Sequence, residues 1–195
     1  TNPDVYDRIE TTDAAGELRL RVSAYLVAAD NCGNDAGDWF VGALPPTTGT
    51  RGALVEVPGV KLYADGGRCG APAGTTPDGH SYGDLWHSQA ELEGYIAKYQ
   101  DLGYQVAVHA LADRAIDEAL SAFGNVIEPG NPLRHRLEHN TVVDPSFAGR
   151  YDALGVTGTI FGAYPTCTFS NLVASGSATV DTDREWNWRR LLDGN

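Results

Sequence analysis

Short apolar runs alternate with amphipathic stretches along this chain of 195 residues. The apolar runs are rich in β-branched and aliphatic residues, and they predict strands at 18–27, 59–67, 104–110, 132–139 and 155–165. Strands that alternate with helical patterns are typical of βα units, in which the strands pair in parallel and helices cover the sheet. The sequence therefore predicts an α/β fold built on five parallel strands.

The predicted helices have recognisable end signals. Ser88 and Glu91 have the spacing of a capping box, and Gly103 lies where a C-terminal cap would be. Asp144 is suited to cap a later short helix, with Pro145 at its first position. The pattern thus predicts helices at 88–103, 113–123, 144–155 and 183–194.

Composition and charge exclude several classes of partner. A formal net charge of -12 repels phosphate backbones and anionic lipid heads, so we expect no nucleic-acid or membrane partner. No apolar run approaches the roughly 18 residues that a membrane-spanning helix needs. An apolar fraction of 42% is sufficient for one core, so we treat 1–195 as a single domain.

The termini and cysteines leave the compartment open. The chain contains no Met, even at position 1, so we expect the natural N-terminus to lie upstream. The polar start lacks the segments of a signal peptide, which favours the cytoplasm. The three cysteines are widely spaced without a CxxC pair, which argues against a structural zinc cluster, and a Cys32–Cys69 disulfide stays possible.

Three side chains capable of metal chemistry fall near the ends of successive predicted strands. His109 ends the third strand, His139 ends the fourth, and Lys61 lies in the second, close to its end. Ligands of parallel α/β folds bind at the carboxyl ends of the strands. A single strand histidine is more often a core or edge residue that a neighbour satisfies. The shared position of Lys61, His109 and His139 favours a metal site.

Lys61 has apolar neighbours, and a buried ammonium group is costly. One interpretation is that its amine reaches solvent or pairs with Asp65. The other is that burial lowers its pKa, so that the neutral amine reacts with carbon dioxide. The resulting carbamate would bridge two divalent ions about 3.5 to 4 Å apart.

Four segments, in order, resemble the amidohydrolase superfamily and in particular its family 3 branch: GVKLYADGG, QVAVHALADRAIDEAL, RHRLEHNTVVDPS and GVTGTIFGAYP. The resemblance implies a metal-dependent hydrolase of amide or related C–N bonds in small molecules, built on a (β/α)8 TIM-type barrel. It also implies that Lys61 is the carboxylated lysine of strand four and that His109 and His139 are the metal ligands of strands five and six. Divalent metal is the implied cofactor, one or two ions in the complete protein, and zinc is favoured on ligand type.

The chain departs from the family pattern at both ends. It contains no HxH pair, and it stops at Asn195, where a strand eight carrying the general-base Asp would follow. We therefore expect a partial barrel of approximately strands three to seven, inactive when isolated. It would self-associate or receive the missing barrel segments from elsewhere, because its sheet edges are unpaired.

The roles of several polar neighbours follow from position. Asp65, Asp113 and Arg68 are candidates to contact the metal ligands or the substrate. For Asp113 we favour a helix N-cap. Strand alternation predicts that Glu138 points away from His139 and pairs with Arg134 or Arg136 behind the sheet.

Three hypotheses remain open. The parent protein is a metal-dependent amidohydrolase, or the chain is a non-catalytic metal-binding half-barrel, or it is a purely structural fragment.

Overall fold

The computed structural model describes residues 1–48, 54–67, 69–160 and 188–193. Within these ranges no helix is long and apolar enough to cross a bilayer. The elements in chain order are α1 (Pro3–Ala14), β1 (Val22–Val27), β2 (Val55–Tyr63), β3 (Gly74–Thr75), β4 (Ser81–Tyr82), α2 (Gln89–Asp101), β5 (Gln105–Ala110), α3 (Asp113–Val126), β6 (Arg136–His139), a 3-10 turn (Pro145–Phe147), α4 (Ala148–Leu154), β7 (Thr157–Ile160) and α5 (Arg189–Asp193).

The five predicted strands form one sheet in the order β1-β2-β5-β6-β7, and every neighbouring pair is parallel. The short strands β3 and β4 form a separate antiparallel hairpin. Crossover segments, mostly helical, connect the parallel strands, as βα units require. The prediction of an α/β fold that forms part of a TIM-type barrel is confirmed. The last part of the fifth predicted strand and the first part of the last predicted helix, within 161–187, lie outside the described residues.

Strand alternation gives the sheet two chemically different faces. One face packs against α2 and α3 and forms the core, in which the side chains are fully or almost fully buried: Val60, Leu62, Val106, Val108, Leu137, Leu92, Ile96, Tyr99, Ile116, Leu120 and Phe123. Residues between them on the strands, such as Lys61 and His109, point to the opposite face. That face corresponds to the inside of a barrel, and it carries the polar groups.

The helix caps follow the sequence signals closely. Ser88 and Glu91 make both hydrogen bonds of the capping box at the start of α2. Asp144 accepts a hydrogen bond from the Ser146 backbone before the 3-10 turn, and Gly155 ends α4 in a left-handed conformation with φ 63°. Side-chain and backbone caps satisfy groups that would otherwise lack partners at helix ends.

Several elements differ from the predicted boundaries, and β1 and β6 each begin four residues later than expected, at Val22 and Arg136. Helix α1 was not predicted, although Asn2 caps it through the Val5 N–H and Pro3 occupies its first turn. Strand β2 starts at Val55, four residues earlier than expected, because its pairing with β1 continues past Pro58. The register shifts there by one extra residue in β2, where Pro58 has no N–H to donate.

A disulfide between Cys32 and Cys69 joins the connection after β1 to the loop after β2, with a Cα–Cα distance of 5.1 Å. The Trp86 indole packs against both connected loops. A Cβ added at Gly33 would lie 3.0 Å from the Trp86 Cβ, and one at Gly70 would lie 2.9 Å from its Cη2. The absence of side chains at these two glycines lets both loops close onto the tryptophan at the carboxyl end of the sheet.

His135 is a buried structural histidine just before β6. Its Nδ1 accepts a hydrogen bond of 2.8 Å from the Val106 backbone N–H, so that nitrogen carries no proton. Its Nε2 lies 3.2 Å from Oε1 of Gln100, and the ring stacks on Phe123. Burial lowers the pKa of His135 to about 4, so the folded chain holds the neutral ring.

We predict that His135 makes the folded chain less stable in acid. Its pKa is lower in the folded chain than its ordinary value of 6.5, so the unfolded chain binds more protons between these values. The stabilisation present above pH 6.5 is therefore lost as the pH falls towards 4. His135→Asn, whose Oδ1 can accept from Val106, should lose about 2 kcal/mol less than wild type between pH 7 and pH 4.5.

Urea unfolding at the two pH values measures this difference. His80→Asn is the matched control, because the His80 side chain is 80% exposed. An identical pH dependence in wild type and His135→Asn would contradict the assignment.

Candidate functional site

The sheet register brings polar residues from three adjacent strands into one row. Tyr63 pairs with His109, and His109 pairs with Glu138, so these three side chains share the barrel face at the carboxyl ends of β2, β5 and β6. Lys61 lies two residues before Tyr63 on the same face, opposite Ala107. His109 therefore lies at the rim, and Lys61 lies two residues deeper on the same face.

His139 joins this row through an unusual backbone conformation. Alternation along β6 would direct its side chain towards the helices, but His139 has a φ of 79° and Asn140 a φ of 50°. The turn brings the imidazole of His139 to 4.5 Å from that of His109, measured between ring centroids. The two predicted histidines are thus neighbours in space.

Both imidazoles are held neutral. Burial, followed by repulsion from His139 and Lys61, lowers the pKa of His109 to about 3. Burial, followed by repulsion from Lys61, lowers the pKa of His139 to about 4. At neutral pH each ring therefore has one nitrogen with an available lone pair, which is the form that binds metals.

His109 has defined partners on its other side. Its Nε2 lies 2.8 Å from the carbonyl oxygen of Gly66, which can only accept, so Nε2 carries the proton of the neutral ring. The same nitrogen is 3.4 Å from Oδ1 of Asp65. The ring of Tyr63 lies 4.8 Å from the His109 ring. The loop after β2 thus orients the histidine.

Lys61 neither reaches solvent nor pairs with Asp65. It is 8% exposed, and its ammonium forms an ion pair with Glu138. Glu138 is also bonded by Arg136, with 2.7 Å between Nη2 and Oε1, and the Arg136 guanidinium lies 4.2 Å from the Tyr25 ring. The prediction that Glu138 pairs behind the sheet is wrong: it pairs with Arg136 as expected, but on the barrel face, because Arg136 and Glu138 are two residues apart on one strand.

The ion pair favours the charged form of both side chains and so opposes the effect of burial on each pKa. Burial lowers the pKa of Lys61, although Glu138 partly opposes this effect. Burial also disfavours the charged form of Glu138, but Lys61 and Arg136 outweigh it, so the pKa of Glu138 is lowered. Lys61 is therefore a desolvated amine whose charge depends on one carboxylate.

Asp65 organises the loops around the histidines. Its carboxylate is fully buried and accepts hydrogen bonds from the backbone N–H groups of Ala73, Leu111 and Ala112. Burial raises its pKa to about 6 in spite of these three bonds. Asp65 therefore connects the loop after β2 to the loop after β5, and it lies next to His109.

The predicted cap role of Asp113 is wrong. Ala112 occupies the N-cap position of α3 without a side-chain bond, and Asp113 instead accepts a hydrogen bond of 2.8 Å from the Thr75 N–H. Arg114 donates to the carbonyl oxygens of Tyr82 and Gly83, at 3.2 Å each. Together they attach the β3–β4 hairpin to the start of α3, since Thr75 and Tyr82 lie in its two strands and Gly83 directly follows β4. Arg68 lies outside the described residues.

Sequence reasoning missed two residues of this site. Glu138 was assigned to the wrong face, although its spacing from Arg136 was a usable signal. Asn140 was not considered, and a buried Asn directly after a predicted strand end was its only signal. In the described part of the chain, no three His, Cys, Asp or Glu side chains are grouped closely enough to hold a metal ion.

Comparisons with known proteins give the family and the fold. The model of the amidohydrolase family matches residues 1–173. A solved structure of an uncharacterized metal-dependent hydrolase from Pyrococcus horikoshii OT3 is similar over 98% of this chain, with 24% identity and a TM-score of 0.75. One from Pyrococcus furiosus is similar over 88% of this chain, with 25% identity and a TM-score of 0.68. The comparison with curated proteins found no match.

The matched region of each solved structure is only part of that protein. This chain spans 38% of the first structure and 35% of the second. The parallel sheet order, the partial coverage and the family match over most of the chain agree with one another. The chain belongs to the amidohydrolase family.

Proposed function

We propose that the parent protein is a metal-dependent hydrolase of amide or related C–N bonds in small molecules, and that His109 and His139 are metal ligands. The observation that supports this proposal most strongly is the pair of neutral imidazoles 4.5 Å apart at the ends of adjacent strands. Family membership and the metal-dependent hydrolases with the same fold support the reaction class.

The two histidines fit a divalent ion, because each is neutral and they lie side by side. Imidazole nitrogen suits zinc, iron, nickel and copper, and we favour zinc. A divalent ion bound here would polarise a carbonyl oxygen of the substrate and lower the pKa of bound water. The surrounding residues would orient the ligands: Gly66 and Asp65 hold His109 from the loop after β2.

Lys61 is our candidate for the third ligand, but not as the ammonium group that pairs with Glu138. An ammonium has no lone pair, whereas a carbamate has two oxygen atoms that bind hard divalent ions. Burial supports this role because it lowers the pKa of Lys61 and favours the neutral, reactive amine. The carboxylation would require that Lys61 leaves Glu138.

The alternative function is a non-catalytic metal-binding half-barrel. The Lys61–Glu138 ion pair favours it, since an amine that stays in this pair cannot complete the ligand set. We infer that the single segment 1–195 is inactive by itself, because it lacks an HxH pair and spans little more than a third of similar hydrolases. A missing proton-transfer residue alone costs about two to four orders of magnitude in rate.

The sheet edges support an associated state. Ile160 at the end of β7 is 51% exposed, which is unusual for a barrel strand. At the other edge Thr1 covers only part of β1, since its amine donates to the Tyr25 carbonyl and its carbonyl accepts from the Val27 N–H. We propose that these edges are covered by a second copy or by further barrel segments.

The histidine pair predicts metal binding that depends on both residues. The chain should bind zinc, and a His109→Ala/His139→Ala double variant should lose it, because both imidazole ligands are removed. His80→Ala should bind as wild type does, since His80 lies on the exposed hairpin loop and pairs with Asp78. Elemental analysis after dialysis measures the bound metal, and equal content in wild type and the double variant would contradict the proposal.

Carboxylation of Lys61 predicts that bicarbonate strengthens metal binding. Wild type should bind zinc more tightly with bicarbonate present and show a carbamate carbon signal in NMR with 13C-bicarbonate. Lys61→Ala should show neither effect. Lys98→Ala is the control, because Lys98 is also paired with a carboxylate, that of Asp38, but lies on the surface. A bicarbonate effect that persists in Lys61→Ala would rule out the bridging role.

The exposed edges predict concentration-dependent association. Sedimentation velocity on the 195-residue chain should show species larger than a monomer, because self-pairing covers unpaired backbone groups and apolar side chains. A charge placed on the edge by Ile160→Lys should weaken this association, whereas Leu20→Lys, exposed but outside the strands, should not. A stable monomer with full hydrolase activity would contradict both the association and the proposed inactivity of the isolated segment.

A further inference from the structure

We propose that Asn140 is a positioning residue that holds the imidazole of His139 beside that of His109. This inference rests on the proposed function for its purpose, but its geometric content concerns the metal-free chain. It starts from the left-handed conformation of His139 and Asn140, two consecutive residues that are not glycine. Such backbone conformations are unfavourable for residues with a side chain and persist only where the surroundings enforce them.

Asn140 is fully buried, and its side chain is fully used. Its Nδ2 donates to the carbonyl oxygens of Leu137, at 3.1 Å, and Thr159, at 3.0 Å. Its Oδ1 accepts from the Tyr151 hydroxyl at 2.6 Å. These hydrogen bonds connect the side chain of Asn140 to β6, to β7 and to α4.

The backbone of Asn140 also makes two hydrogen bonds, which connect the end of β6 to β5 and to Trp188. Its N–H donates to the Ala110 carbonyl at the end of β5, at 3.1 Å. Its carbonyl accepts from the Trp188 indole at 2.5 Å. Because Ala110 directly follows His109, this bond ties the backbones of the two histidine-bearing strand ends together.

These contacts explain why the residue is an asparagine. The amide offers two donors to two carbonyl oxygens and one acceptor to a hydroxyl, which a carboxylate of the same shape cannot do. Asn also adopts the left-handed region more readily than other residues with a side chain. Without this turn, alternation would direct His139 to the helix face, away from His109.

The connection between α3 and β6 contains a matched control. Asn131 is also buried and left-handed, with φ 46°, and its Nδ2 donates to the carbonyl oxygens of His135 and Gly155. Its Oδ1 accepts from the His135 N–H. It precedes β6, at the end of the sheet opposite His139, so its loss removes comparable bonds without touching the histidine pair.

The test compares Asn140→Asp and Asn140→Gly with Asn131→Asp and Asn131→Gly. The Asp variants keep the shape and lose the donors, and the Gly variants keep the backbone freedom, so at least one variant of each pair is expected to fold. Nuclear Overhauser contacts between the His109 and His139 rings are measured in the metal-free chains. We expect them in wild type and in the Asn131 variants, and we expect their loss in the Asn140 variants.

Zinc affinity is the second readout. It should fall about 10- to 100-fold in the Asn140 variants and stay near the wild-type value in the Asn131 variants, even at similar losses of stability. Ring contacts that persist in the folded Asn140 variants would overturn the inference, and so would equal losses in both sets. If wild type binds no zinc, the proposed function fails, while the ring contacts still decide the role of Asn140.

Discussion

The parallel register of β2, β5 and β6 is the constraint on which the candidate site depends. Pairing Tyr63 with His109 and His109 with Glu138 brings three polar strand ends to one rim. The apolar residues between them, such as Leu62 and Val108, are buried against α2 and α3 on the opposite face. A slip of one residue would move the apolar residues into the barrel and the polar ones into the core, so core burial and site geometry enforce each other.

Burial on the barrel face determines the charges there. Two imidazoles stay neutral, because burial and the nearby Lys61 outweigh the opposing effect of the Glu138 carboxylate. The Glu138 carboxylate favours the charged form of Lys61, and the same carboxylate also pairs with Arg136. Breaking a buried pair of this kind by removing one member is strongly destabilising. The site is therefore a pair of neutral imidazoles beside a compensated cluster of charges.

Much of this arrangement could be predicted from the sequence. Apolar runs located all five strands, and strand-end position identified His109, His139 and Lys61, because periodicity and parallel pairing are local rules. Side-chain direction at the strand ends was less accessible. Alternation failed at His139, where a left-handed turn reverses the side chain, and the pairing of Glu138 with Lys61 joins residues that are 77 apart in the sequence. Asp113 also departed from its cap role because the β3–β4 hairpin, distant in sequence, supplies Thr75 as its partner.

We propose that His109 and His139 bind one divalent ion between them. X-ray diffraction from crystals of the chain soaked in zinc, with data on both sides of the zinc absorption edge, tests this proposal. We expect an anomalous peak within bonding distance of one nitrogen from each of the two imidazoles. A peak elsewhere in the chain, with none at this histidine pair, would contradict it.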